Sequence, residues 1–253
     1  MSLKIEIIPC LSDNYSYICS DENKNAFVVD PSEFDPISEH LTKNELNLEY
    51  ILNTHHHFDH VGGNNQLKKI YGAQIVGNIK DKDRIPEIDI CLKDKEMWTF
   101  RGHESKIIDT PGHTIGHIAF HFKSENALFT GDTLFSLGCG RLFEGTPEMM
   151  WNSICKLKLL PDETKIYCGH EYTESNAEFL NSIYVNDLII EKIKQLKQLR
   201  KDNIPSIPTI LSEEKKLNIF LQADNQEIKN ILNMSTSSDE AVFTKLRSLK
   251  DNF

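Results

Sequence analysis

The chain has 253 residues, 39% hydrophobic and 26% charged, ordinary for a globular protein and enough for one large domain or a domain with an appendage. Its 38 acidic against 28 basic residues give a formal net charge of −10, which argues against non-specific nucleic-acid binding because that needs a basic surface. No apolar run approaches the ~20 residues that span a bilayer, and Met1-Ser2-Leu3-Lys4 carries no signal-peptide pattern, so a cytoplasmic protein with no membrane partner is expected.

Strands are expected at Ile5-Glu6-Ile7-Ile8 and Ala26-Phe27-Val28-Val29, and a helix from Pro36 to Leu48. The short apolar run Tyr50-Ile51-Leu52 then leads into Thr54-His55-His56-His57-Phe58-Asp59-His60 and a Gly62-Gly63 turn. An extended stretch alternates its faces, so His55 and His57 should point the same way and His56 away from them. Imidazole nitrogen together with carboxylate oxygen suits zinc and similar cations. A His-rich surface loop or tag would lack the flanking strand and the glycine turn, so this is a metal-binding loop.

Asn64 to Tyr71 reads as a helix closed by Gly72. Further on, Ile107-Ile108-Asp109-Thr110-Pro111-Gly112-His113 is an apolar run broken at Pro-Gly, ending in a ligand-type residue. Ile118 to Phe122 is a strand, Ala127-Leu128-Phe129-Thr130-Gly131-Asp132 repeats the pattern with Asp132, and Lys165-Ile166-Tyr167-Cys168-Gly169-His170 repeats it with His170. Any one of these could be an ordinary strand-end turn. Together they supply five histidines plus Asp59 and Asp132, which is more than one ion takes. Between them, Thr146-Pro147-Glu148 starts a helix, with Thr as cap, Pro in the first turn and Glu on the positive end of the dipole.

After Glu171 the strand signal disappears. Helices are expected at 175–184, 187–202, 212–223, 226–234 and 239–250, with Ile204 to Pro208 a rigid connector. Ser237 and Glu240 have capping-box spacing for the last of them. The expected organisation is a metal-binding α/β domain over residues 1–170 and an all-helical domain over 171–253. The cysteines at 10, 19, 91, 139, 155 and 168 make no C-x-x-C pair and read as reduced, short apolar fillers. His40, His103, His117 and His121 read as surface or packing residues.

A water bridging two cations ionises near neutral pH, and a carbonyl resting on one ion is polarised. A thiolate leaves with little help from an acid, so thioester hydrolysis suits such a centre, although the ligands alone also permit lactone, amide or phosphodiester cleavage. No G-x-S-x-G nucleophile motif is present, and the metals make one unnecessary.

The blocks T-H-H-H-F-D-H-V-G-G-N, T-P-G-H-T, T-G-D-T-L-F and C-G-H-E-Y-T resemble the metal-binding blocks of the metallo-β-lactamase superfamily. Within it, G-C-G-R-L-F-E-G over 138–145, H-E-Y-T and the closing L-R-S-L-K-D-N-F resemble the hydroxyacylglutathione hydrolases, almost end to end. The resemblance implies an αββα sandwich followed by the helical domain, and two divalent ions, with Zn2+ favoured and Fe or Mn also accepted. It implies His55, His57 and His113 on one ion, Asp59, His60 and His170 on the other, and Asp132 as the bridge, with Asp59 and Asp132 the catalytic carboxylates. Arg141, Phe143, Tyr172, Arg247 and Lys250 match positions that hold glutathione, whose carboxylates suit cationic partners. The implied reaction is hydrolysis of S-D-lactoylglutathione to D-lactate and glutathione, in the detoxification of methylglyoxal; a monomer is expected. Phe143 stands where some members carry Tyr, and Gln222 where Arg is frequent. A persulfide dioxygenase of the same superfamily would typically lack the terminal R-x-x-K, and a nuclease would want a basic face. A non-catalytic binding protein could lose a ligand, yet every ligand position is filled.

Overall fold

The computed structural model describes residues 2–253. The chain divides into two compact units, Met1–Asp109 with Gly116–Gly131, and Thr110–Ile115 with Asp132–Phe253.

The first unit opens with strands β1 (Lys4–Cys10), β2 (Asn14–Ser20) and β3 (Asn25–Val29), then helix α1 (Asp35–Asn44), β4 (Asn47–Leu52), α2 (Phe58–Val61), α3 (Asn64–Tyr71), β5 (Gln74–Asn78) and β6 (Ile90–Leu92). These strands form one sheet in sequence order, antiparallel from β1 to β3 and parallel from β3 to β6. Parallel neighbours need a crossover, which α1 supplies between β3 and β4, and α2 with α3 between β4 and β5. Strands β7 (Met97–Phe100), β8 (His103–Asp109), β9 (Ile118–Phe122) and β10 (Ala127–Gly131) follow, paired antiparallel in the order β10-β9-β8-β7.

Side-chain alternation along β3 builds both layers of the core. Phe27 stacks on Phe122 of β9 at 5.3 Å and meets the edges of Trp98 and Phe100 of β7 at 5.7 and 5.0 Å, so aromatic rings join the two sheets. Val28 points the opposite way, into a cluster with Ile51 and Ile75 of the sheet, Ile37 and Leu41 of α1, and Leu67 of α3. A sheet bearing helices on one face and a second sheet on the other leaves the strand ends as the places for polar loops.

The second unit holds a short hairpin, β11 (Leu134–Phe135) and β12 (Gly138–Cys139), then α4 (Pro147–Lys158), β13 (Lys165–Cys168), α5 (Thr173–Ile183), α6 (Asp187–Lys201), β14 (Thr209–Ile210), α7 (Leu211–Leu217), α8 (Gln226–Ile231) and α9 (Asp239–Asp251). Thr146 caps α4, its hydroxyl accepting from the Met149 amide at 3.2 Å, as its sequence predicts. Trp151 of α4 packs on Phe243 of α9 at 5.7 Å, and Phe220 links Phe243 to Phe179 of α5 at 6.0 Å to each ring. That aromatic chain gathers α4 with the C-terminal helices.

Several expected boundaries move. The helix expected to reach Leu48 ends at Asn44, where Glu45 turns left-handed (φ 53°) and Asn47 begins β4. The helix expected over 212–223 stops at Leu217, because extended Asn218 restarts the chain as a 3-10 turn by accepting from the Phe220 amide at 3.1 Å. The cap of α9 is Ser238, which accepts from the Ala241 amide, one residue beyond the expected Ser237. Past Glu171 one strand does occur, β14, paired with β13 through Ile166↔Thr209.

Phe27→Ala should lower the unfolding free energy by about 3–5 kcal/mol, read from urea denaturation. A loss below about 1 kcal/mol would show that the aromatic layer is not the core of the first unit.

Candidate metal centre and adjoining pocket

Every expected ligand follows the C-terminal end of a strand. In the first unit, β4 stops at Leu52, so His55 and His57 sit in the loop beyond it and not on strand alternation, as their spacing had suggested. They converge nonetheless, with ring centroids 4.7 Å apart, and His60 lies 4.2 Å from His55. His56 turns aside as expected, its Nδ1 3.2 Å from the buried carboxylate of Asp81.

Buried Asp30, just beyond β3, organises this loop. Its Oδ1 accepts from the Thr54 amide at 2.7 Å and its Oδ2 from the Thr54 hydroxyl at 2.6 Å and His60 Nδ1 at 3.0 Å. The Thr54 proton is thereby committed to Asp30, so Thr54 Oγ1 accepts from His55 Nδ1 at 3.0 Å. Both imidazoles then carry their proton on Nδ1 and their lone pair on Nε2, the form that ligates a metal. Asp30, His55 and His60 offer ligand atoms within 4.8 Å of one another, but the Asp30 oxygens are already accepting, so Asp30 orients the ligands. Asn14 does the same for Asp59, donating to its carbonyl at 3.1 Å and to its Oδ2 at 3.0 Å. Gly131 clears space for Thr54: its φ is +46°, and a Cβ there would lie 2.3 Å from Thr54 Oγ1.

In the second unit, His113 donates from Nδ1 to the Arg141 carbonyl at 2.8 Å, which again puts the lone pair on Nε2. That nitrogen is 3.4 Å from Asp132 Oδ2, and His170 Nε2 lies 3.3 Å from the same oxygen. In the first unit His60 Nε2 and Asp59 Oδ2 are 3.6 Å apart. These separations exceed the ~2.7–2.9 Å of a charge-assisted hydrogen bond. They match the edge of a tetrahedron, about 3.4 Å for ligands ~2.1 Å from a cation. Donors held lone pair towards lone pair at ligand spacing fit a divalent ion.

A cavity of about 510 Å³ in the second unit is lined by His113, Asp132, Phe135, Arg141, Phe143, Tyr172, Arg247 and Lys250 among others. Its size suits a small organic molecule. All five residues expected to hold substrate therefore lie together. Tyr172 stacks on His170 at 4.6 Å, Phe135 meets Tyr172 edge-on at 5.3 Å, and the exposed ring of Phe143 lies 5.2 Å from His113. Arg247 is not the exposed helix-end cation that its sequence position permits. It is buried over the Phe220 ring, donating to the Cys139 carbonyl at 2.7 Å and to Asp251 Oδ1 at 2.9 Å. Lys250 lies between the Phe179 and Phe253 rings and donates to the carbonyl and hydroxyl of Ser175, each at 3.1 Å. Burial, then the Arg247 and Arg141 charges, lowers its pKa to about 8.

His117 and His121 are buried, His117 stacked on His55 at 4.8 Å, and His103 Nδ1 is 2.8 Å from Glu125. Burial pushes the Cys139 and Cys168 thiols up to about 11 and about 12, so neither provides a thiolate near neutral pH. Gln222 lies in the 3-10 turn after α7. No helix among the described residues is long and apolar enough to cross a membrane.

Paired sheets with histidine and aspartate loops at the strand ends define the metallo-β-lactamase fold, and the model of that superfamily matches residues 9–90 and 82–170. Among solved structures, the BLEG-1 B3 metallo-β-lactamase superposes with a TM-score of 0.69 at 21% identity, covering 86% of this chain and 99% of that one. A metallo-β-lactamase from Staphylococcus aureus gives 0.67 at 19% identity, covering 98% and 71%. The family model described as "Hydroxyacylglutathione hydrolase C-terminus" matches residues 171–253. Proteins named hydroxyacylglutathione hydrolase are 49% identical in Pelagibacter ubique, covering 99% of this chain and 100% of that one, and 44% identical in Methylococcus capsulatus, covering 99% of each. The chain belongs to the hydroxyacylglutathione hydrolase family of metal-dependent hydrolases.

Asn14→Ala should weaken metal retention about 10- to 100-fold in chelator competition with the circular dichroism spectrum unchanged, since it removes the orienting donor of Asp59. Wild-type retention would show that Asp59 needs no such support.

Proposed function

We propose that this protein hydrolyses S-2-hydroxyacylglutathione, typically S-D-lactoylglutathione to D-lactate and glutathione, the second step of the glyoxalase route of methylglyoxal detoxification. The observation that carries this reading is the joining of His113 and Asp132 to a cation-bearing pocket in one cavity, in a chain of this family. His55, His57 and His113 would hold one divalent ion and Asp59, His60 and His170 a second, with Asp132 as the donor available to both. Seven donors exceed the four of a single tetrahedral site, which supports the count of two. Zinc fits the nitrogen and carboxylate set best, and iron and manganese accept the same ligands. When bound, the ions supply Lewis acidity to the thioester carbonyl and bring the pKa of water towards ~7.

The chain's own groups do the rest. Asp59, its Oδ2 fixed by Asn14, accepts the proton of the attacking water. Tyr172, stacked on His170, walls the reacting carbon from solvent on that side. Residues 171–253 supply most of the grip on the peptide portion: Lys250, with Arg141, takes its carboxylates, and Arg247 keeps the Cys139 carbonyl and Asp251 in place beside them. The glutathione thiolate leaves without a general acid, its conjugate acid having a pKa near ~8.5.

The direct test is thiol release from S-D-lactoylglutathione against a small thioester without the peptide, with oxygen consumption followed in parallel. The reading requires release from the glutathione thioester with far lower kcat/KM for the small one and no oxygen uptake. Equal rates would remove glutathione from the account, and oxygen uptake would replace hydrolysis with dioxygenation.

A charged hydrogen bond is worth roughly 1.5–3 kcal/mol, so Lys250→Ala should raise KM for the glutathione thioester about 10- to 150-fold while sparing kcat. The pH profile carries the same signature. Lys250 loses its charge above about pH 8, so KM should rise there, and Lys250→Met should abolish that rise. Stability moves the opposite way: between about 8 and 10.5 the unfolded lysine binds the extra proton, so this group's contribution improves as pH rises through that window. A KM independent of pH from 7 to 10 would remove Lys250 from substrate binding.

A further inference from the structure

The β11–β12 hairpin joins the metal donor Asp132 to Arg141 in the pocket, and its tip is fastened by Glu214 and Asn218 from outside the pocket and by Asn176 from its lining. Glu214 of α7 is fully buried. Its Oε2 accepts from the Leu137 amide at 2.7 Å and Asn218 Nδ2 at 3.0 Å, while its Oε1 meets the hydroxyls of Thr209 at 2.7 Å and Ser136 at 3.1 Å. Asn218 Nδ2 also donates to the Gly138 carbonyl at 3.1 Å, and Asn176 Nδ2 to the Ser136 carbonyl at 3.0 Å. Leu137 is held left-handed at φ 58°, a conformation that a leucine adopts only where its surroundings impose it.

A buried carboxylate is an expensive way to fill space, and packed apolar residues would stabilise the unit as well or better. What Glu214 supplies instead is direction, since it fixes backbone groups of a turn. The consequence lies at the base of the hairpin. Gly140 presses on Asp132 so closely that a Cβ would lie 1.9 Å from the Asp132 carbonyl oxygen. One residue on, the Arg141 carbonyl accepts the Nδ1 proton of His113 at 2.8 Å. A displaced tip therefore moves the Asp132 carboxylate, the acceptor that sets the His113 tautomer, and the Arg141 side chain together.

The geometry points to Glu214, with Asn218, as a positioning residue that reaches the metal donors and the substrate pocket through the hairpin, neither side chain itself lining the pocket. This rests on the thioester hydrolase reading for its kinetics, and on the donor geometry alone for metal retention.

The test compares Glu214→Ala, Glu214→Gln and Asn218→Ala with wild type in the metal-loaded chain. Three quantities are read per folded molecule: KM and kcat for S-D-lactoylglutathione, and the rate of metal loss to a chelator. Glu214→Ala should lower kcat/KM about 10- to 100-fold, with KM raised as well as kcat lowered, and should lose metal at least about fivefold faster. Glu214→Gln should return all three to within about threefold of wild type. Its carbonyl still accepts from Leu137 and Asn218, and its amide faces two hydroxyls that can rotate to accept. A merely structural role would lower the folded fraction and leave KM untouched. Wild-type KM and metal loss in folded Glu214→Ala would overturn the inference, and so would a Gln variant as impaired as Ala. Where Glu214→Ala does not fold, Asn218→Ala decides: KM and metal loss each raised about threefold or more support positioning, and unchanged values overturn it. Absence of wild-type turnover would defeat the hydrolase reading only, because the chelator rates still decide the role of Glu214.

Discussion

Imidazole nitrogens and carboxylate oxygens are held with lone pair facing lone pair, and the surrounding structure serves to keep them so. His60 Nε2 stands 3.6 Å from Asp59 Oδ2, and His113 and His170 each bring Nε2 to 3.3–3.4 Å from Asp132 Oδ2. Like partial charges at that range repel unless a cation lies among them. An imidazole can also escape by moving its proton to the inner nitrogen, so the fold must prevent that. For His55, His60 and His113 the outer nitrogen is given an acceptor, through Thr54, Asp30 and the Arg141 carbonyl respectively. Placing Asp30 just beyond β3, a glycine at 131 and an anchored hairpin after Asp132 are separate solutions to this one problem.

The proposed substrate is anionic, and the chain that would hold it carries a net charge of −10. Long-range attraction is not available, so cations must act at contact range. Arg141 remains exposed, Arg247 is buried against Cys139 and Asp251, and Lys250 lies against two aromatic rings with its pKa lowered to about 8. Three cations near one another raise the potential that an incoming carboxylate meets, at the expense of easier deprotonation of the lysine. Arg247, bonded to the Cys139 carbonyl and Asp251, serves as an internal tie.

The residues expected as donors stood out because His113, Asp132 and His170 each close a short apolar strand with a proline or glycine break, and the His55–His60 cluster follows another such strand. A related pattern, with the proline after the polar residue, is present in Val28-Val29-Asp30-Pro31, and there it marks the residue that orients His60 directly and His55 through Thr54. Asn14, Thr54 and Glu214 escaped because their roles depend on contacts that no spacing encodes; Glu214 reaches a residue 78 positions away. Helix existence and type were also legible, while three ends were not: the helices expected to reach Leu48, Ala223 and Met234 stop at Asn44, Leu217 and Ile231. Leu46 and Leu48 suit a helical stripe as well as a strand, and only the left-handed turn at Glu45 separates them. Asn218 breaks its helix because its side chain is drawn to the hairpin carbonyls, a tertiary demand that overrides local propensity. For Arg247 the sequence left open an exposed end, and burial over Phe220 decides against it.

The central claim is a two-ion centre sharing Asp132, and X-ray absorption spectroscopy of the purified, remetallated chain with elemental analysis of the same sample tests it most directly. The account requires two ions per chain and a metal–metal scattering path near ~3.5–4 Å that disappears in Asp132→Ala. One ion per chain at saturation, with only nitrogen and oxygen neighbours and no metal–metal path, would contradict it.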